Sequence, residues 1–107
     1  MLTWSYSVST VDRLDFLKTA IACSLAQTVR PGDIVIADAS AYWKERGDEL
    51  RAMAAEYGVK LTSLPARAES SAVQRNQAGE LATGDILIFT DDDSWMFPDY
   101  AEKTLAA

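Results

Sequence analysis

Three consecutive aspartates, Asp91 to Asp93, follow directly on an apolar run at residues 86–89 and a threonine. Carboxylates this close repel one another, and they are costly to bury without a partner. On an extended segment Asp91 and Asp93, two positions apart, would point to the same side. Mg²⁺ and Mn²⁺ prefer oxygen ligands, and Mg²⁺ is commonly held by one or two carboxylates with phosphates and water. The pattern therefore predicts a divalent cation, Mn²⁺ or Mg²⁺, held by Asp91 and Asp93.

The same cluster has a simpler interpretation. An acid in front of a helix that starts near Pro98 would cap that helix and interact favourably with its dipole. One aspartate is enough for this purpose, and the location of all three at a strand end favours the metal site. Asp38, which ends the apolar run 34–37, also has two interpretations. Together with Ser40 it caps the helix that follows, or it accepts hydrogen bonds from a nucleoside.

Strand and helix patterns alternate along the chain and would bring these acids together. Strand-like segments occur at residues 4–9, 34–37, 59–64 and 86–89. Helical spacing begins after a predicted N-cap at Asp12 and recurs at residues 42–57, 70–82 and from Pro98 onward. Short alternating elements predict an α/β domain, a Rossmann-like three-layer α/β/α arrangement with about four parallel strands and right-handed crossovers. We expect residues 1–107 to form one domain.

Ligands of open parallel sheets bind outside the carboxyl ends of the strands. In this chain those ends are Ser9 and Thr10, Asp38, the loop after Leu64, and Asp91 to Asp93. Two of the four are acidic, which predicts a metal, a ribose, or both. The chain has no G-x-x-x-x-G-K-[ST] loop, and the turn at residues 10–13 contains no glycine. A diphosphate would therefore need a cation where other nucleotide-binding folds use backbone amides.

Composition excludes several classes of protein. The net charge of -6 argues against non-specific binding of nucleic acid. The sequence contains no histidine, which excludes histidine acid–base chemistry, Ser-His-Asp triads and histidine metal sites. The single cysteine, Cys23, forms no internal disulfide, and we expect a cytoplasmic location. No apolar run approaches the roughly 20 residues of a membrane span and the N-terminus lacks a signal-peptide pattern, so we expect no transmembrane segment.

A few prominent side chains have ordinary structural interpretations. Trp4, Trp43 and Trp95 are predicted to be packing residues, not platforms for base stacking. Arg75, on the helix that begins near Ser70, would be a solvated surface charge.

Four motifs occur in order along the chain: SVSTVDR at residues 7–13, IVIADAS at 34–40, QRNQAGELATGDILIFTDDD at 74–93 and PDY at 98–100. They resemble the segments V-I-P-T-Y-N-R, I-V-V-D-D-G-S, A-R-N-x-G-x-x-x-A-x-G-x-x-I-x-F-L-D-D-D and P-D-W of family 2 glycosyltransferases. A D-x-D pattern alone would be weak evidence. Four linked motifs in the right order and spacing extend along nearly the whole chain, which makes the resemblance specific.

The resemblance implies a nucleotide-diphospho-sugar transferase, of which this chain would be the N-terminal, donor-binding half of a GT-A fold. Asp38 would contact the base, and Ser9 and Thr10 would line the nucleoside pocket. Arg75 would lie near the nucleotide. The donor would be a UDP-sugar or a GDP-sugar, and its sugar would be transferred to an acceptor hydroxyl that the sequence does not identify.

On the diphosphate side the resemblance assigns the three aspartates. Asp91 would face the ribose or the metal, Asp92 would belong to the donor site, and Asp93 would hold Mn²⁺ or Mg²⁺ against the diphosphate. The cation would act as a Lewis acid on the departing nucleoside diphosphate.

Three residues depart from the family pattern: Asp12 stands for the usual Asn, Ala37 for the first acid of the D-D pair, and Ser9 for a frequent Pro. The family's catalytic base and acceptor elements lie in a second half that would follow Ala107, so no catalytic residue is predicted. The fourth strand would leave a sheet edge open, which predicts possible self-association.

Two other functions are alternatives for this pattern of strands and acids, and the sequence favours the first of them. The first is a non-catalytic metal- and nucleotide-binding module that needs a partner chain for activity. The second, a receiver-like signalling domain, requires paired acids after strand one and a lysine after a fifth strand. The sequence has neither.

Overall fold

The computed structural model describes residues 2–10, 14–68, 70–92 and 94–106, without the side chain of Ser71. In these ranges four strands alternate with four helices. They are β1 (Trp4–Thr10), α1 (Leu14–Leu25), β2 (Asp33–Asp38), α2 (Trp43–Ala55), β3 (Lys60–Pro65), α3 (Ser71–Leu81), β4 (Ile86–Asp91) and α4 (Tyr100–Ala106). The predicted order of elements is confirmed. Asp12, the predicted N-cap of the first helix, lies outside the described residues.

The strands form one parallel sheet in the order β3-β2-β1-β4. The chain winds outward from β1 to β3 and then crosses back to the other side of β1. With right-handed crossovers this places α1 and α2 on one face and α3 on the other. Accordingly α1 contacts α2, and α3 contacts β1 and β2. The predicted three-layer α/β/α arrangement of four parallel strands is confirmed.

The face under α1 and α2 carries the apolar core. Every second residue of the central strands points into it, with long aliphatic side chains of α1 and α2 packed on top. Its fully buried members include Trp4, Tyr6, Val8, Ile34, Ile36, Leu17, Ile21, Leu25 and Leu50. The indole Nε1 of Trp4 donates to the carbonyl oxygen of Val29 at 3.0 Å, so its prediction as a packing residue is confirmed.

The face under α3 is buried as well, and it mixes polar side chains with apolar ones. All seven residues of β1 are buried, so its alternating pattern does not mark a solvent-exposed face. Its serines lie beneath α3 instead. Two glutamines of α3 cover the sheet and donate to strand-end carbonyls: Gln74 Nε2 to Ala37 at 2.7 Å and Gln77 Nε2 to Pro65 at 2.8 Å.

Helix ends follow local signals in part. Gly58, with φ of 70°, lies in the left-handed region just after α2, as a C′ glycine should. Ser70 caps α3 and accepts from the amide of Val73. The N-cap of α2 is Tyr42, which makes no side-chain capping bond. The interpretation of Asp38 and Ser40 as caps of α2 is therefore wrong, because the helix begins further along the chain.

The other two tryptophans differ from Trp4. Trp43 is half-buried at the start of α2. Trp95 is half-exposed, and its ring stacks on that of Phe16 with centroids 6.1 Å apart. Its packing is therefore at the surface and not in the core. None of the helices in the described ranges is long and apolar enough to cross a membrane.

Candidate functional site

Strand register aligns the predicted site residues at one edge of the sheet. Thr10, the last residue of β1, lies opposite Asp38, the last residue of β2. Ser9 lies opposite Asp91, the last residue of β4. Parallel pairing thus brings together side chains that are more than 80 residues apart in sequence. We call this set, Ser9, Thr10, Asp38, Asp91 and Asp92, the carboxyl edge.

Asp91 is the exposed acid of the carboxyl edge. Within the described residues its carboxylate has no hydrogen-bond or ion-pair partner, while its carbonyl oxygen accepts from the amide of Ser94 at 3.1 Å. The chain therefore turns after Asp91, and the extended segment on which the same-side argument for Asp91 and Asp93 rests ends here. Asp93 lies outside the described residues, so its part in a cation site stays a prediction.

Asp92 points the opposite way, into the fold. It is 1% exposed, and its Oδ2 accepts a hydrogen bond of 3.0 Å from Thr10 Oγ1, which is itself buried. The sequence places both residues in the donor site. The structure places them at that edge but turns their side chains toward each other.

Asp38 is also buried, with 1% of its surface exposed. Its Oδ1 accepts from the amide of Ser40 at 2.9 Å, which fixes a turn after β2. Its carbonyl oxygen accepts from the amide of Ala66 at 2.9 Å, and so ties the loop after β3 to the end of β2. The hydroxyl of Ser40 is buried without a hydrogen-bond partner in the described part of the chain. A polar acceptor or donor is therefore left open beside Asp38.

Arg75 is exposed, as predicted for a surface charge, and its guanidinium lies against β4. Its guanidinium carbon is 4.3 Å from the centroid of the Phe89 ring. Phe89 and Asp91 are two apart on a strand and share a face of the sheet. A positive charge is thus held above the strand that leads to Asp91.

Gln74 is a residue that sequence reasoning missed. Its Nε2 reaches the carbonyl oxygen of Ala37 at 2.7 Å and that of Thr10 at 3.4 Å, and so it joins the ends of β1 and β2. Its neighbour Arg75 is identifiable from sequence because it is charged. The sequence feature that could identify Gln74 is its position immediately before Arg75 in α3.

A further side-chain hydrogen bond joins β1 to β4 below the carboxyl edge, between two hydroxyl groups. Tyr6 Oη and Thr90 Oγ1 are 2.5 Å apart and link β1 to β4. Burial raises the pKa of Tyr6 to about 12, and the negative charge of Asp92 adds to this effect. Tyr6 is therefore neutral at physiological pH and serves as part of the framework.

No group of three or more His, Cys, Asp or Glu side chains placed to hold a metal ion occurs among the described residues. The donors that the carboxyl edge does present are carboxylate and hydroxyl oxygens. Oxygen ligands suit Mg²⁺ and Mn²⁺ and are poor ligands for softer metals.

Comparison with known proteins gives a family and a set of similar folds. The family described as Glycosyl transferase family 2 matches residues 5–107. Among solved structures, S. aureus TarS 1–349 superposes with a TM-score of 0.77 at 18% identity, covering 98% of this chain and 32% of that one. The same portion of TarS in complex with UDP gives a TM-score of 0.72 at 18% identity, covering 98% and 31%.

A further similar structure is mannosyl-3-phosphoglycerate synthase from Rubrobacter xylanophilus, with a TM-score of 0.66 at 20% identity, covering 97% of this chain and 35% of that one. The chain spans about a third of the length of each of these structures. At such identities the likeness shows the fold. Among the curated proteins, none matches the chain.

Proposed function

The chain belongs to glycosyl transferase family 2, and on this basis we propose that its carboxyl edge binds the nucleoside diphosphate of a sugar donor. The observation that carries the proposal is the aligned register of β1, β2 and β4, which gathers Ser9, Thr10, Asp38 and Asp91 at one edge and leaves Asp91 exposed there. In a parallel sheet this edge is where ligands bind. The donor would be a UDP-sugar or a GDP-sugar.

A divalent cation fits the residues of this edge. The chain carries a net charge of -6, and Asp91 adds exposed negative charge where a diphosphate would lie. Phosphate and carboxylate repel each other unless a cation lies between them. We propose that Asp91 and Asp93 would hold Mn²⁺ or Mg²⁺ at this position. When bound, the ion would neutralise charge on the departing nucleoside diphosphate.

The nucleoside would lie over the ends of β1 and β2. Ser9 lies opposite Ala37 in the strand register, and Asp38 supplies a carboxylate. Beside Asp38, the Ser40 hydroxyl has no hydrogen-bond partner within the described residues. Because Asp38 is 1% exposed, we expect the loop after β2 to shift when a base binds. Arg75 would contribute positive charge toward the phosphates from the α3 side.

In the full reaction the bond between the sugar and the diphosphate would break as an acceptor oxygen bonds to the sugar. The described residues supply the donor side of this reaction: they would bind the nucleoside diphosphate and orient it along the carboxyl edge.

A second candidate is a binding module that needs a partner chain for activity. The observation in its favour is that β4, the strand that carries Asp91, is at the edge of the sheet and, within the described residues, has a free row of backbone groups. A partner strand, or a second copy of the chain, would complete the sheet beside the proposed site. Sedimentation analysis over a range of concentrations tests self-association, and mixing with a candidate partner tests the module.

The proposed function is tested by calorimetric titration of UDP and GDP with and without Mn²⁺. We expect at least about tenfold tighter binding of one nucleotide with the metal present, equivalent to about 1.4 kcal/mol. The double variant Asp91→Ala, Asp93→Ala should lose that increment. Asp85→Ala is the matched control, since Asp85 is also exposed and flanks the other end of β4. A folded wild-type chain whose nucleotide affinity does not depend on metal would contradict the cation role.

A further inference from the structure

The hydrogen bond between Thr10 and Asp92 joins the ends of two neighbouring strands. Val8 of β1 lies opposite Thr90 of β4, and Ser9 lies opposite Asp91. Thr10 and Asp92 continue this register by one step, and their side chains meet at 3.0 Å between Thr10 Oγ1 and Asp92 Oδ2. Both residues are buried, with exposures of 3% and 1%. The bond is at the long end of the range for a hydroxyl donor, and burial of both residues keeps water from competing for it.

This bond has a consequence for Asp91. Neighbouring residues at a strand end point to opposite faces, so an inward Asp92 leaves Asp91 on the α3 face, where it is exposed. The amide of Ser94 then closes the turn on the Asp91 carbonyl oxygen. The Thr10–Asp92 hydrogen bond therefore lies beside both features of this segment: the outward side chain of Asp91 and the turn closed by Ser94.

We propose that Thr10 and Asp92 are positioning residues that orient the acidic turn, and that neither contacts the donor. The proposal rests on the proposed function, because the oriented group, Asp91, is the one assigned to the cation. It also changes the roles predicted from sequence, in which Thr10 lines the nucleoside pocket and Asp92 belongs to the donor site.

The chain supplies a matched control for this pair. Tyr6 and Thr90 also join β1 to β4 through hydroxyl groups, 2.5 Å apart, but they lie deeper in the sheet. Thr10→Val and Thr90→Val each remove one such hydroxyl and keep the shape of the side chain. If the Thr10–Asp92 bond only stabilised the fold, the two variants would behave alike.

The first readout needs no metal and no nucleotide. Amide hydrogen exchange is measured at Ser94, whose N–H closes the turn on Asp91. We expect Thr10→Val to speed exchange at Ser94 by about tenfold relative to wild type. Thr90→Val should change this rate less than about twofold, although both variants lose a similar amount of thermal stability. Unchanged Ser94 exchange in a folded Thr10→Val chain would overturn the proposal.

The second readout separates position from charge. Asp92→Asn keeps an oxygen that accepts from Thr10 Oγ1 and removes the negative charge, whereas Asp92→Ala removes both. We expect Asp92→Asn to keep most of the Mn²⁺-dependent increment in UDP affinity and Asp92→Ala to lose about tenfold. Equal losses in both variants would show that Asp92 acts through its charge on the cation, which contradicts a positioning role.

The two proposals fail in different ways. Absence of any metal-dependent UDP binding in the wild type overturns the proposed function, and the Ser94 exchange then decides the positioning role by itself. Metal-dependent binding in the wild type that persists unchanged in Thr10→Val overturns the positioning role alone.

Discussion

β2 begins with one buried aspartate and ends with another, and their surroundings differ. At the amino end, Asp33 accepts hydrogen bonds from Ser5 Oγ and, at 3.3 Å, from the amide of Thr83. Ser5 Oγ accepts in turn from the amide of Gly84 at 2.7 Å. At the carboxyl end, Asp38 accepts from the amide of Ser40 within its own turn. The side chain of Asp33 therefore connects β1, β2 and the loop before β4, while the side chain of Asp38 holds only a local turn within the described residues.

β4 shows the same contrast with exposed acids. Asp85, just before the strand, accepts from the amide of Thr3 at 2.9 Å and from its hydroxyl at 3.3 Å. Asp91, at the other end, has no side-chain partner within the described residues. Acids at the amino end are thus used to hold the chain together. At the carboxyl edge, by contrast, an exposed carboxylate without a partner is available to a ligand. Variants at the two ends of the sheet should therefore differ in their effects on stability and on binding.

The largest expected effect is at the amino end. A Cβ on Gly84 would lie 2.6 Å from both the carbonyl carbon of Trp4 and the amide nitrogen of Ser5, and backbone atoms cannot move aside cheaply. We expect Gly84→Ala to lower the free energy of unfolding by about 3 kcal/mol or more, at the upper end of overpacking effects.

Urea denaturation measures this change. Gly32→Ala is the control, because the nearest atom to its Cβ would be Trp4 O at 3.8 Å. A loss of similar size in both variants would show that the close approach at Gly84 is not the cause.

The next effect concerns alkaline pH. The pKa of Tyr6 is raised from 10.0 to about 12 by burial, so between these values the unfolded chain loses a proton that the folded chain keeps. The contribution of Tyr6 is fully present below pH 10 and falls as pH rises toward 12, by about 2–3 kcal/mol in total. Tyr6→Phe should lack this part of the decline. Denaturation of both proteins below pH 10 and near pH 12 checks it, and parallel declines would contradict the assignment.

Asp33 and Asp38 should respond differently to removal. Asp33→Ala leaves the Ser5 hydroxyl and the Thr83 amide without their acceptor, and we expect a loss of about 2 kcal/mol in the free energy of unfolding. Asp38→Ala leaves one amide unpaired, and we expect a loss of about 1 kcal/mol together with weaker UDP binding. Denaturation and calorimetry on the same samples test both. Greater stability loss at Asp38 would reverse the contrast between the two ends.

The smallest effect is expected at Arg75. Its contact with Phe89 is at the surface, so Arg75→Ala should cost less than about 1 kcal/mol of stability. If the guanidinium faces the phosphates, UDP affinity should fall by about fivefold, equivalent to about 1 kcal/mol. Arg67→Ala is the control, since Arg67 pairs with Glu80 at the surface. Equal effects on affinity would remove Arg75 from the site.

Much of the fold is predictable from sequence, and so are the strand-end positions of the acids in the site. Apolar runs that end in acids are local signals, and in a parallel sheet they fix which residues reach the ligand edge. The positions of Asp38 and Asp91 at strand ends are predictable for this reason. The direction of Asp92 was not predictable, because it depends on Thr10, 82 residues away.

Asp33 shows the same limit. The sequence around it, Arg30-Pro31-Gly32-Asp33, indicates a turn, yet Asp33 is the first residue of β2 and is buried. Its partners come from β1 and from the loop after α3, so no local pattern identifies them.

Gly47 is a further case in which tertiary packing overrides a local rule. By helix propensity it costs about 1 kcal/mol relative to alanine. A Cβ there would lie 2.7 Å from Cβ of Ser63, so α2 approaches β3 closely only because residue 47 is glycine.

The most direct test of the donor site uses Mn²⁺ as a paramagnetic probe of the folded chain. A strand of six or seven residues is about 20 Å long, so the two ends of the sheet are well separated. With UDP present, the backbone amide signals of Ser9, Thr10 and Ser94 should broaden first as Mn²⁺ is added. Those of Gly32, Thr83 and Gly84 should stay sharp. Broadening centred on the amino end, or none at either end while UDP binds, would contradict a cation site at the carboxyl edge.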